Sequence, residues 1–181
     1  MSWAPAVKGC DVPDGTLYEA DFLAWTEQQA DALRRAARER ANSPLDWENL
    51  AEEIESLGRS DRRAAESQIE NILLHLLKLG CSPAIRPRAK WKLETNGFRR
   101  ELERVMRDSP SLRGKVAEMI IDAWPAVLRV VEAEFRLRGE LKSASPYLAS
   151  FRLKGGLSPD EVLREGFFPE QGSTEFVKDP D

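Results

Sequence analysis

Asn71, His75 and Lys78 follow Gln68 at three, seven and ten residues, which places all four on one stripe of a helix. His75 is the only histidine in the chain. An imidazole in that position can serve as a general base or a metal ligand, and Glu52, Glu53 and Glu55 lie upstream as carboxylates for either task. The ligand count weighs against a metal. Helical carboxylate centres set Glu-x-x-His units on facing helices, and one histidine cannot supply two. Cys10 and Cys81 complete neither an ordinary zinc set nor a disulfide framework. The expectation is therefore no metal, no cofactor and no catalytic residue. In its place we expect a structural polar seam, with Glu53 at the edge of its helix reaching His75, Lys78 or a basic residue of the fourth helix.

Other chemistries lack their motifs. Ser43, Ser60, Ser109 and Ser158 sit at cap-like positions and not on a nucleophile elbow. Gly155-Gly156 follows Lys154 but precedes no Lys-Ser or Lys-Thr, so no phosphate loop is present.

Charge is segregated along the chain. From Asp46 to Asp61 six acids face one base, a net of −5, and from Arg86 to Arg107 eight bases face three acids, a net of +5. Arg86, Arg88, Lys90, Lys92, Arg99 and Arg100 form a candidate basic surface, and Trp91 among them suggests a base-stacking aromatic beside phosphate-binding cations. The whole chain carries −4 at neutral pH, with an isoelectric point near 5.3, which makes nucleic-acid binding the lesser expectation. The alternative is that the acidic and basic segments pair within the fold or between subunits.

The elements that position these residues are helical. Leu23, Thr26, Ala30, Leu33 and Ala37 predict a first helix from Tyr18 to about Ala41. Ser43-Pro44 predicts the start of a second, with Trp47, Leu50, Ala51, Ile54 and Leu57 on its apolar sector; Gly58 favours a break there, the alternative being one long bent helix that runs through it. Ala64 to Leu79, the most apolar stretch, reads as the central helix. Trp91, Thr95, Phe98, Leu102 and Val105 mark a fourth, weakened by Asn96-Gly97, and Val116 to about Arg138 a fifth, kinked at Pro125 and capped by Gly139. Beyond Gly139 the chain reads as irregular except for a short helix at Ser158-Pro159-Asp160-Glu161.

With 181 residues, 41% of them hydrophobic and 32% charged, and with no strand-like alternation, the fold class is all-α. We expect an antiparallel bundle of about five main helices over residues 16–168, an irregular arm over 1–15 and a tail over 169–181. Trp47, Leu50, Ile54, Ile69, Ile72, Leu76, Phe98, Leu102, Met119 and Val127 are the expected core, with Phe167-Phe168, and Phe176 as a further anchor, docking the tail. The absence of a signal-like N-terminus and of any long apolar run predicts a cytoplasmic protein without membrane segments.

Tyr18-Glu19-Ala20-Asp21-Phe22, Glu48-Asn49-Leu50-Ala51-Glu52-Glu53-Ile54-Glu55, Leu57-Gly58-Arg59-Ser60, His75-Leu76-Leu77-Lys78 and Asp108-Ser109-Pro110-Ser111-Leu112 together resemble a bacterial family, domain of unknown function family 29, over roughly residues 18–168. The resemblance implies an all-helical fold and no particular activity. The functional expectation is a small helical interaction or regulatory module with an unidentified protein partner, or a second copy of itself. A nucleic-acid protein using segment 86–107, or an enzyme centred on His75 with Glu52, Glu53 and Glu55, are the alternatives.

Overall fold

The computed structural model describes residues 15–39 and 44–170, and every regular element among them is helical. In chain order these are α1 (Gly15–Ala20), α2 (Phe22–Arg38), α3 (Trp47–Cys81), α4 (Arg88–Asp108), a 3-10 segment (Pro110–Lys115), α5 (Val116–Leu137), α6 (Leu141–Lys154) and α7 (Pro159–Leu163). The expected arm over 1–15, the cap at Ser43 and the anchor Phe176 lie outside the described residues, apart from Gly15, which opens α1.

Two aspartates begin the first long helices. Asp21 interrupts what periodicity suggests is one helix, because its carboxylate accepts from the Ala24 amide (3.0 Å) and so caps α2. Asp46 caps α3 in the same way through the Asn49 amide (3.2 Å).

No break occurs at Gly58. α3 runs 35 residues, about 52 Å at the usual rise per residue, and Gly58 is buried against Leu23 and Thr26 of α2. The glycine serves the distance between two helices and ends neither.

α3 is the spine. α4 returns antiparallel along its C-terminal half, as the contacts His75–Glu94 and Asp61–Ser109 show. α5 runs parallel to it, with Arg62 beside Glu118 and Lys78 beside Glu134. Ile69, Ile72, Leu73, Leu76 and Leu77 are fully buried and form the core with Leu102, Met106, Leu112, Met119, Ile120, Val127 and Phe135. Three expected core residues are not there. Leu50 is 39% exposed, and Trp47 and Ile54 are half-buried, because α4 ends beside Asp61 and does not reach the turns of α3 before it. Phe98 packs at the edge of the core.

α5 passes through Pro125 and ends at Leu137, just before Gly139 (φ +73°), where the Glu140 and Gly139 amides donate to the carbonyls of Phe135 and Arg136. α6 occupies a stretch expected to be irregular. Its serines and Pro146 lower helix propensity, yet Ala144, Leu148 and Phe151 are buried against the bundle, and packing outweighs propensity.

α7 carries the capping box read from Ser158-Pro159-Asp160-Glu161. The Glu161 amide donates to Ser158 Oγ (3.2 Å) and the Ser158 amide to Glu161 Oε2 (2.7 Å), while Lys154 Nζ lies 2.6 Å from Glu161 Oε1. Burial pushes the Glu161 carboxyl upward, but Lys154 and the Ser158 amide outweigh it and hold the group below its ordinary 4.5. A carboxyl lowered by folding contributes stability above its unfolded value and loses that contribution as pH falls through the folded one. Glu161→Gln should therefore melt below the parent at neutral pH, with the gap closing as pH falls beneath about 4.5; thermal melts at stepped pH will read this, and a pH-independent gap would refute the linkage.

Candidate functional site

The stripe on α3 finds different partners from those expected. His75 is buried; its Nδ1 donates to the Asn71 carbonyl (2.8 Å) and its Nε2 faces Glu94 Oε2 of α4 (3.1 Å). Both ring nitrogens are committed, so neither is directed at a ligand or substrate. Lys78 Nζ reaches Glu134 Oε2 of α5 (2.6 Å) and lies over the Trp91 ring at 6.0 Å. Gln68 Oε1 is buried with no hydrogen-bond partner among the described residues.

Glu53 takes no part in this seam. Because α3 is continuous, Glu53 and His75 sit 22 residues apart on one straight element, about 33 Å, and cannot meet. Glu52 and Glu53 are exposed. Glu55 pairs with Arg34 of α2 (2.7 Å) and with Arg59 (3.3 Å), and the Arg34 hydrogen bond holds its carboxyl below the usual range. The grouping of His75 with Glu52, Glu53 and Glu55 is thus corrected: the seam is His75–Glu94 and Lys78–Glu134, joining α3 to α4 and α5. Among the described residues no three His, Cys, Asp or Glu side chains gather as metal ligands do. Burial pushes the Cys81 thiol up to about 12, which keeps it from acting as a thiolate at neutral pH.

The basic segment also divides. Arg86, Lys90, Lys92 and Arg100 are exposed and Arg88 is half-buried, but Arg99 is buried and removed from that surface. Its Nε donates to the Val162 carbonyl (2.8 Å) and its Nη2 to the carbonyls of Glu161 and Phe167 (both 3.1 Å). Arg99 thereby ties α7 and the buried Phe167 to α4, and Phe168 lies under Arg99 and Lys92. Trp91 is 5% exposed, so its ring cannot stack a nucleobase. Segment 86–107 thus lacks the interleaved aromatic and one of the cations that a nucleic-acid groove would use.

Residues singled out for their motifs meet at a different place. Ser109 Oγ accepts from the Leu23 amide (3.1 Å) and donates to Asp61 Oδ2 (2.8 Å), while Asp21 accepts from both the amide (2.6 Å) and hydroxyl (3.0 Å) of Ser111. With Gly58 on Leu23 and Thr26, these contacts lock α2, α3 and the turn after α4 together. The latch is structural: Ser109 is fully buried and each of its oxygen's bonds goes to protein.

What remains open is the half of α3 beyond the latch. There α2 and α3 form a two-helix arm, with Arg34–Glu55 on one flank. On the other flank Leu50 and Leu57 are 39% and 53% exposed, with the carboxylates of Asp46 and Glu53 at their rim. Periodicity marked these leucines as apolar positions, but it could not show that no helix among the described residues reaches far enough to cover them. At the opposite end of α3, Ile85 and Leu93 are exposed among Arg86, Lys90 and Lys92. No helix among the described residues is long and apolar enough to cross a membrane.

Comparison with known proteins agrees with this architecture. A family model described as "Domain of unknown function DUF29" matches residues 17–160. A solved structure from Rhodospirillum rubrum, described as an alpha-helical protein of unknown function, is similar at 29% sequence identity over 83% of this chain and 90% of that chain, with a TM-score of 0.66. No curated protein matches the chain.

Proposed function

This chain belongs to the DUF29 family, domain of unknown function, and from that premise we propose that it is a cytoplasmic helical interaction module without catalytic activity, whose working surface is the apolar flank of the arm formed by α2 and the start of α3. The observation that carries the reading is the exposure of Leu50 and Leu57 side by side at a seven-residue spacing, on a helix whose other half builds the core. A flank of this kind, apolar at its centre and acidic at its rim, suits a helical protein surface laid along it. The commitment of both His75 nitrogens and of Ser109 to protein partners supports a role in binding over one in chemistry.

The test is a double substitution, Leu50→Asp with Leu57→Asp. Both side chains are exposed, so circular dichroism and the melting temperature should stay close to the parent's. The immobilised parent should retain a protein from its native host's extract that the variant does not. Equal retention by a folded variant would remove the arm from the interaction.

A further inference from the structure

Resting on that reading, we propose that the occupant of the arm is a second copy of this chain, docked head to tail: the basic, apolar start of α4 in one copy seats on the acidic, apolar flank of α3 in the next.

Two faces of one molecule fit each other by charge and by apolar exposure. Ile85, in the turn before α4, is 80% exposed, and Ala89 and Leu93, one helical step apart on α4, are exposed as well, Leu93 by 69%. Arg86, Lys90 and Lys92 surround them, and the sequence has no acid between Glu70 and Glu94. On the arm, Leu50 and Leu57 are ringed by Asp46 and Glu53, with Glu48 and Glu52 exposed on the same helix. The cation Arg34 of α2 is already taken by Glu55 on the opposite flank.

The two faces cannot satisfy each other within a chain. Leu50 and the C-terminus of α3 at Cys81 are 31 residues apart on one helix, about 46 Å. Accordingly, among the described residues no ion pair joins the acids of 46–61 to the bases of 86–107; Glu55 pairs with Arg34 and Arg59, and Lys90 and Arg104 pair within α4. Opposite charges at opposite ends of a rigid spine direct association between molecules and suppress the like-with-like encounter of two arms. A contact between different faces closes as an antiparallel two-fold dimer where both pairs engage at once, and otherwise propagates as a ring or a chain.

Charge exchange tests this. One variant carries Glu52→Lys and Glu53→Lys, and the other Arg86→Glu and Lys90→Glu; all four side chains are exposed. By light scattering and sedimentation the parent should grow from its 20.5 kDa monomer with rising concentration at low salt and return to it at high salt. Each variant alone should remain monomeric, because the charge difference that draws its two faces together is removed. Mixed one to one, the variants should associate again, since each then presents the face the other needs. A monomeric parent at every concentration, association indifferent to salt and to both variants, or a mixture that stays monomeric would each overturn the proposal. A monomeric parent that still retains a host protein through Leu50 and Leu57 would overturn self-docking and leave the arm's binding role standing. Binding of that monomer to anionic vesicles or RNA through Arg86 and Lys90 would likewise assign the basic end to another partner and overturn it.

Discussion

Gly58→Ala should lower the stability of this protein by about 2 kcal/mol, although the same substitution in most exposed helices raises it by about 1 kcal/mol. A Cβ at Gly58 would lie 2.2 Å from Thr26 Oγ1 and 2.9 Å from Leu23 Cδ1. The leucine methyl can swing aside, but the hydroxyl is held by its own bond to the Leu23 carbonyl (2.8 Å). Nor can α2 simply back away, because the Leu23 amide is tied to Ser109, and Ser109 to Asp61 of α3. Overpacking of this kind costs roughly 1–3 kcal/mol and sometimes more, which outweighs the gain in helix propensity. For a chain of this size the melting temperature should fall by roughly 4–8 °C. Adding Thr26→Ala removes the 2.2 Å clash and leaves the residue-26 Cβ at 3.3 Å, tight enough to need only a small shift, so the double variant should melt above Gly58→Ala alone. A Gly58→Ala protein that melts at or above the parent would mean that the two helices are not held at this distance.

Arg99→Ala should cost more, on the order of 3 kcal/mol, and its damage should be local first. The side chain is 5% exposed and supplies donors to three backbone carbonyls at the end of α7 and just beyond it. Those carbonyls lie where a helix has no intrahelical partner to offer. Burial pushes the guanidinium down to about 10, so it remains a cation at neutral pH and makes the charge-assisted form of these bonds. Truncation leaves the acceptors unpaired in a dry site and frees Val162 and Phe167 to leave the core. Hydrogen exchange and limited proteolysis should rise first within residues 157–168, before the bundle melts. Arg99→Lys should rescue only in part, because one ammonium cannot present the same fork of donors. Unchanged exchange across that segment in Arg99→Ala would show that α7 is held by its apolar contacts alone.

Local pattern made much of the fold legible. The apolar periods of α2, α3, α4 and α5, the capping box at Ser158 and the cap at Gly139 are all consequences of residues within a turn or two of one another. What escaped was set by distant neighbours. Gly58 is ambiguous alone, since a glycine both stops helices and lets them approach, and only Thr26 decides between these roles. The partner of His75 comes from α4, and nothing in the spacing of the Glu-rich stretch excludes it until α3 is known to be unbroken. α6 is hidden by Ser143, Ser145 and Pro146, whose local cost is offset by burial of Ala144 and Phe151. Arg99 read as one surface cation among several because charge alone carries no sign of burial. His75 and Lys78 were legible as seam residues, but their carboxylate partners, Glu94 and Glu134, were not.

The unbroken course of α3 also bears on how the molecule breathes. Its C-terminal half builds the core with α4, α5 and α6, whereas its start packs on α2 through Gly58 and the Arg34–Glu55 pair. Local opening follows the contacts that must be given up, so one helix here spans a wide range of opening free energies, from the buried turns at Ile69–Leu79 to the solvated turns near Trp47. Fraying can start at the arm and run inward, and the tightly packed crossing at Gly58 is the first place where it meets resistance. A partner that clamps the arm would quench that motion from the far end, and part of its binding energy would go into ordering turns it touches and turns it does not.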